Sequence, residues 1–172
     1  SISFTTLIAI EGESFEGALF APECWTLIDA DGDGFNWYQD DEPEAAYAGL
    51  YSAASDSYTD SALTPDNYLI SPQLLLGSNE QLSYFVGTQD FFFYQENYGV
   101  YLSTSGNNES DFTNELSIRG FLFFSRKILR KINKYAETAF QIIFSWVFGS
   151  YCEKKSWVIF NFYFIFLNSS LL

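Results

Sequence analysis

Histidine and methionine are both absent from the 172 residues, and no lysine or arginine occurs before Arg119. Without histidine there is no Ser-His-Asp or Cys-His catalytic arrangement and no histidine-ligated zinc site. Without an initiator methionine the chain reads as processed or as a fragment. Cysteine is nearly absent as well. Cys24 and Cys152 stand far apart and form no C-x-x-C pair, so they argue neither for a thiolate metal site nor for a dense disulfide framework, and they do not indicate a redox compartment. The lack of cations is more informative. Ser1 to Ile118 holds 20 acidic residues and no basic one, a net of −20, whereas Arg119 to Leu172 holds 8 basic and 2 acidic residues, a net of +6. A segment with no cation of its own cannot neutralise its carboxylates by internal salt bridges, so divalent ions or plain hydration must do so. Nucleic acid is not expected as a partner, because phosphate binding needs clustered Lys and Arg.

What the acidic part has instead is a stretch dense in oxygen donors. Residues 29–40 read D-A-D-G-D-G-F-N-W-Y-Q-D, with Asp29, Asp31 and Asp33 at alternating positions and Gly34 after the third. Calcium takes six to eight oxygen ligands; an Asp-x-Asp-x-Asp-Gly loop supplies carboxylates from every second residue, and the glycine makes the turn that closes the cage. Two positions depart from an EF-hand. Asp40 stands twelfth, where that loop carries a glutamate, and Asn36 stands where an inward apolar residue is expected. The flank departs too, since Cys24-Trp25-Thr26-Leu27-Ile28 after Pro22 reads as a β-strand and not as a helix. The stretch reads as a calcium loop on a β scaffold. Asp-Gly pairs also make tight turns on a solvated acidic surface with no ion at all.

The length suits one domain with an appendage and is enough to bury a sizeable core. Ser3 to Ile10 predicts a first strand, with a truncated signal-peptide core as the rival reading. Ala45 to Tyr51 reads as another strand, and Ser52 to Ser61, rich in Ser, Asp and Ala, as a loop. Leu63 to Pro72 places a short apolar strand between two prolines. Gln81 to Val86 and Tyr98 to Ser103 alternate apolar and polar residues, the half-buried strand pattern. Many short strands separated by turn clusters, with no convincing helix before Arg119, predict an all-β fold, an antiparallel β-sandwich or jelly roll.

Several blocks then carry a resemblance. They are Glu13-Ser14-Phe15-Glu16-Gly17; Trp25 to Gly34; Leu63-Thr64-Pro65-Asp66-Asn67-Tyr68-Leu69-Ile70-Ser71-Pro72; Gln89-Asp90; and Glu96 to Tyr101 with Ser105-Gly106-Asn107. In this order, over about residues 11 to 116, they resemble the cleaved-adhesin family, the haemagglutinin/adhesin domains of gingipain-type surface proteins of Bacteroidetes. The resemblance implies a calcium-stabilised jelly roll, secreted or displayed at the cell surface, that binds an extracellular host protein, a haem protein or a glycan and has no catalytic activity. It assigns the metal positions to Glu16, Asp29, Asp31, Asp33 and Asp90. The alternative is a carbohydrate-binding accessory domain of a secreted glycosidase or protease. A glycosidase needs two carboxylates flanking the scissile bond, and the family pattern offers no such pair.

Beyond Asn114 the family pattern of a Trp-containing strand, an aromatic strand and a final acidic block is not followed. Residues 1–118 read as the adhesin-like jelly roll, and 119–172 as a basic, aromatic-rich tail. If the family closes its sandwich with the missing strands, the jelly roll is incomplete. Three readings of the tail compete. Trp157 to Leu167 is apolar, but eleven residues are too few to span a bilayer as a helix, which needs about 20. The tail could supply the absent strands. Its abrupt turn to Phe, Ile, Lys, Asn and Ser is also what an out-of-frame reading of AT-rich coding sequence looks like, and an intact frame across the codons for Asn114 to Gly120 would rule that out. One more feature bears on binding: Phe91-Phe92-Phe93-Tyr94 cannot all face a core, which makes Phe92 and Tyr94 candidates for ligand contact, as exposed rings suit sugar faces and protein hot spots. The competing reading turns two of these rings inward.

Overall fold

Runs of β-branched and aromatic residues only a few positions long, broken by Pro, Gly and Asp, produce short strands and, among the described residues, no long helix. The computed structural model describes residues 12–42, 45–75, 82–88, 97–120, 128–132, 139–146 and 157–162. The strands are β1 (Thr26–Asp29), β2 (Tyr38–Asp40), β3 (Ser52–Asp56), β4 (Asn67–Ile70), β5 (Leu74–Leu75), β6 (Leu82–Thr88), β7 (Asn97–Ser103), β8 (Asn114–Gly120), β9 (Ile128–Ile132), β10 (Ala139–Trp146) and β11 (Trp157–Phe162). Among the described residues one 3-10 turn, Glu109–Asp111, precedes β8. The strand expected at Ser3 to Ile10 lies outside the described residues.

The strands form two antiparallel sheets. One has the order β1-β4-β10-β7-β8, with β5 also pairing β10; the other has the order β2-β3-β11-β6-β9. The two are joined as a β-sandwich, the fold expected from the alternation, and Asn67 on β4 spans the gap by donating its Nδ2 to Ser55 Oγ on β3 at 3.3 Å. Because side chains alternate along a strand, that bond orients both sheets. Asn67 and Leu69 face inward from the first sheet, and Ala53 and Ser55 face inward from the second.

Leu27, Leu69 and Val100 occupy one inward row, through the register Leu27↔Leu69↔Phe144↔Val100. Leu69 and Val100 are fully buried. On the opposite face of the first sheet, Ile70 packs with Phe112, Ile28, Tyr68 and Tyr101. Tyr68 also donates its hydroxyl to Glu109 Oε1 at 3.2 Å, holding the 3-10 turn against that face. Leu69→Ala removes apolar atoms from a site that is 0% exposed, so it is expected to cost about 2–5 kcal/mol by urea unfolding. A loss under about 0.5 kcal/mol would place Leu69 outside the core.

Two local expectations are corrected. Residues 45–50 make turns and bends and Tyr51 is irregular, while β3 forms at Ser52–Asp56, where composition predicted a loop. Ser-Ala-Ala-Ser has little strand propensity, but Ser52, Ala53, Ala54 and Ser55 are all fully buried between β2 and β11. Small side chains fit that position, and packing overrides propensity. The charge boundary at Arg119 falls inside β8. Strands from beyond it lie within both sheets, β10 between β4 and β7 and β11 between β3 and β6. Among the described residues no helix is long and apolar enough to cross a membrane.

Candidate metal centre

The acidic loop leaves the end of β1 and is closed by its own carboxylates. Asp29 accepts hydrogen bonds from Gly32 N at 2.8 Å and Gly34 N at 3.0 Å, and Asp33 accepts one from Phe35 N at 2.8 Å. Gly32 and Gly34 have φ of 70° and 86°, a left-handed conformation that glycine adopts without the clash a Cβ would make. Aspartate side chains that cap nearby N–H groups are the local device by which such a sequence turns.

A second segment locks the loop from a distance. Ala30 N donates to Asp66 O at 3.0 Å, and Asp66 N donates to Asp31 Oδ2 at 3.2 Å. Asp29 pairs with Asn67 in the β1–β4 ladder, and Asn67 Nδ2 donates to Phe35 O at 2.7 Å. The Leu-Thr-Pro-Asp-Asn block therefore serves as the wall of the loop. Sequence reading found both blocks but not their contact.

One oxygen from each of Asp29, Asp31 and Asp33 lies within 4.8 Å of the others. Their ionisation shows the crowding. Loss of hydration pushes Asp29 up, but hydrogen bonds from Asp31 and from the N–H groups of Gly34, Gly32 and Asp33 outweigh it and hold Asp29 below the usual carboxylate range. Asp31 is pushed above that range by loss of hydration, by its hydrogen bond with Asp29 and by the charge of Asp33, against the N–H groups of Asp33 and Asp66. Like charges this close resist full ionisation unless a cation joins them. An all-oxygen, all-carboxylate set fits a hard cation of the calcium class.

The structure does not bring every expected residue here. Glu16 is outside the cluster: its Oε1 accepts the N–H groups of Leu50 at 2.9 Å and Tyr51 at 2.8 Å, and its carboxylate lies against Gly49, whose φ is 82°. Asp90, Phe92 and Tyr94 lie outside the described residues.

Comparison with known proteins agrees with this architecture. The sequence profile of the Cleaved Adhesin Domain matches residues 8–135. Lys-gingipain of Porphyromonas gingivalis is 42% identical over 111 residues, which is 60% of this chain and 6% of that protein. Hemagglutinin A of the same organism is 42% identical over 110 residues, 60% of this chain and 5% of that protein. The chain thus spans only a small part of the curated relatives it matches. The crystal structure of the K1 cleaved adhesin domain of Lys-gingipain superposes with a TM-score of 0.73 at 30% identity, over 88% of this chain and 94% of that domain. With its sandwich, its acidic loop and most of its length matched, the chain belongs to the cleaved adhesin domain family.

Proposed function

We propose that this chain is a non-catalytic, calcium-stabilised binding module of a secreted or surface-anchored bacterial protein, attaching it to an extracellular host protein, haem protein or glycan. The observation that carries the reading is the match, across nearly the whole fold, to an adhesin domain of Lys-gingipain. The name of the relative hemagglutinin A and the clustered carboxylates of Asp29, Asp31 and Asp33 support it. Calcium is held by those three residues, with Glu16 and Asp90 as further acidic positions, and it shapes loops instead of reacting. Phe92 and Tyr94 contact the ligand. The absence of histidine is consistent with attachment in place of turnover.

A glycan array run beside haemoglobin and matrix-protein panels, in calcium and in chelator, tests this. At least one ligand is expected to be retained in calcium and lost in chelator. Alanine at Phe92 and Tyr94 together is expected to weaken that ligand by about 2 kcal/mol, roughly thirtyfold, with no change in melting temperature. Turnover of an arrayed glycan would overturn the reading in favour of a carbohydrate-active one. Loss of both binding and stability in the double variant would assign the two rings to the core.

A further inference from the structure

The two flanks of the sandwich carry opposite charge. Asn67 on β4 meets Ser55 on β3, and each sheet continues from that contact to an outermost strand, β1 in the first and β2 in the second. A third segment ties those two strands together: the Phe15 ring packs on Trp25, next to β1, at 5.6 Å between centroids, and the Phe15 carbonyl accepts Gln39 Nε2 of β2. β1 and β2 therefore share one flank, and β8 and β9, the outermost strands at the other end of each order, share the opposite one. Each flank is a continuous stretch of chain. Residues 26–42 run through β1, the acidic loop and β2 with six acidic residues and no basic one, a net of −6, whereas residues 114–132 run through β8 and β9 with five basic residues and one acidic, a net of +4. Asp31, Asp33, Asp41 and Glu42 are exposed on the first flank, and Phe35 among them is 43% exposed.

Charge divided in this way decides how copies can meet. Acidic flank against acidic flank, or basic against basic, repels, which disfavours the two-fold arrangement in which a patch meets itself. Acidic against basic attracts, and the resulting pair keeps one free flank of each sign. Such a head-to-tail contact does not close on itself, so it extends into an open row. A divalent ion in the Asp29–Gly34 loop would leave the first flank at −4, and the attraction survives. Phe35 supplies an apolar ring within the charged surface, the kind of side chain that anchors a contact between proteins. A row of binding modules engages a multivalent surface more tightly than one module does.

We propose that the β1–β2 flank of one copy docks on the β8–β9 flank of a second copy, so that the chain assembles head to tail. The contact depends neither on the loop ion nor on the ligand of the domain. Sedimentation velocity of the full chain at about 100 μM tests it in about 20 mM and about 500 mM sodium chloride, between which the screening length falls from roughly 20 Å to roughly 4 Å. Species larger than one chain are expected at the lower salt, in calcium and in chelator alike, and a single chain at the higher. Asp41→Lys with Glu42→Lys brings the first flank to −2, and Arg130→Glu with Lys131→Glu brings the second to 0. Each double variant alone is expected to associate with itself about tenfold or more weakly than the unaltered chain. Mixed in equal amounts, the two retain one intact flank each and are expected to form a heterodimer and nothing longer. Arg126→Glu with Lys127→Glu repeats the second arm if the β9 variant does not fold. The proposal is overturned if the unaltered chain is a single chain at both salts, if it assembles only in calcium, or if the mixed variants do not pair. Assembly that strengthens with salt overturns it as well and assigns the contact to exposed apolar residues such as Leu19 and Leu50.

Discussion

Raising free calcium from a chelated baseline to about one hundred times its dissociation constant is expected to lift the thermal midpoint by roughly 5–10 °C. A ligand bound only by the folded state adds about 2.7 kcal/mol at that excess, and each kcal/mol moves the midpoint of a domain this size by about 2–4 °C. The ligand set can form only in the folded state. Asp29 sits at the end of β1, and Asp31 is held by the Asp66 N–H, from a segment beyond β3. Asp31→Asn is the informative variant. It keeps an oxygen that can accept the Asp66 N–H and removes one charge from three crowded carboxylates. Its midpoint without calcium should stay near that of the unaltered chain or rise, because like-charge repulsion is relieved, while most of the calcium-dependent gain disappears. Scanning calorimetry in calcium, magnesium and chelator checks this. An unaltered calcium response in Asp31→Asn would remove the loop from the account, whatever the rest of the molecule binds.

The second large effect concerns the basic segment. A chain ending at Gly120 is expected to show no cooperative unfolding transition. β4 and β7 do not pair with each other; β10 lies between them, with Ile70↔Ile143↔Tyr101 and Leu69↔Phe144↔Val100 in register. β3 and β6 do not pair either, and β11 bridges them through Ala54↔Ile159↔Gly87. Removing the last 52 residues also removes β9, leaving β1-β4, β7-β8 and β2-β3 as two-stranded ribbons and β5 and β6 without their ladder partners. Two-stranded ribbons are marginal in water, and unpaired edges recruit other chains. Far-ultraviolet circular dichroism on heating and light scattering give the readout: a shallow, probe-dependent loss of signal with aggregation at micromolar concentration. A sharp melt of the 1–120 chain within a few degrees of the full chain would show instead that the acidic part folds without the tail. That outcome would favour the reading of residues 119–172 as an appendage or as out-of-frame sequence.

Features visible in the sequence were those whose causes are local. Asp29, Asp31, Asp33 and Gly34 shape their loop through hydrogen bonds spanning at most five residues, so spacing alone announced an oxygen-lined turn. The β class was equally legible, because alternation over β6 and β7 is a property of consecutive residues. β3 was not visible. Its Ser-Ala-Ala-Ser core has no strand signature, and it becomes a strand because β2 and β11 bury it on both edges.

The placement of the acidic side chains divides in the same way. The chain by itself determined that an acidic, histidine-free β protein would carry a tight, carboxylate-lined loop, since composition and near-neighbour spacing suffice for that. Only the tertiary structure decided that Glu16 would reach across 34 and 35 residues to the N–H groups of Leu50 and Tyr51, that Asp66 and Asn67 would wall the loop, and that Asp40 would be buried beside Ser52. Those outcomes depend on which strands become neighbours, and strand pairing is settled by packing between segments remote in the chain, which no local pattern encodes.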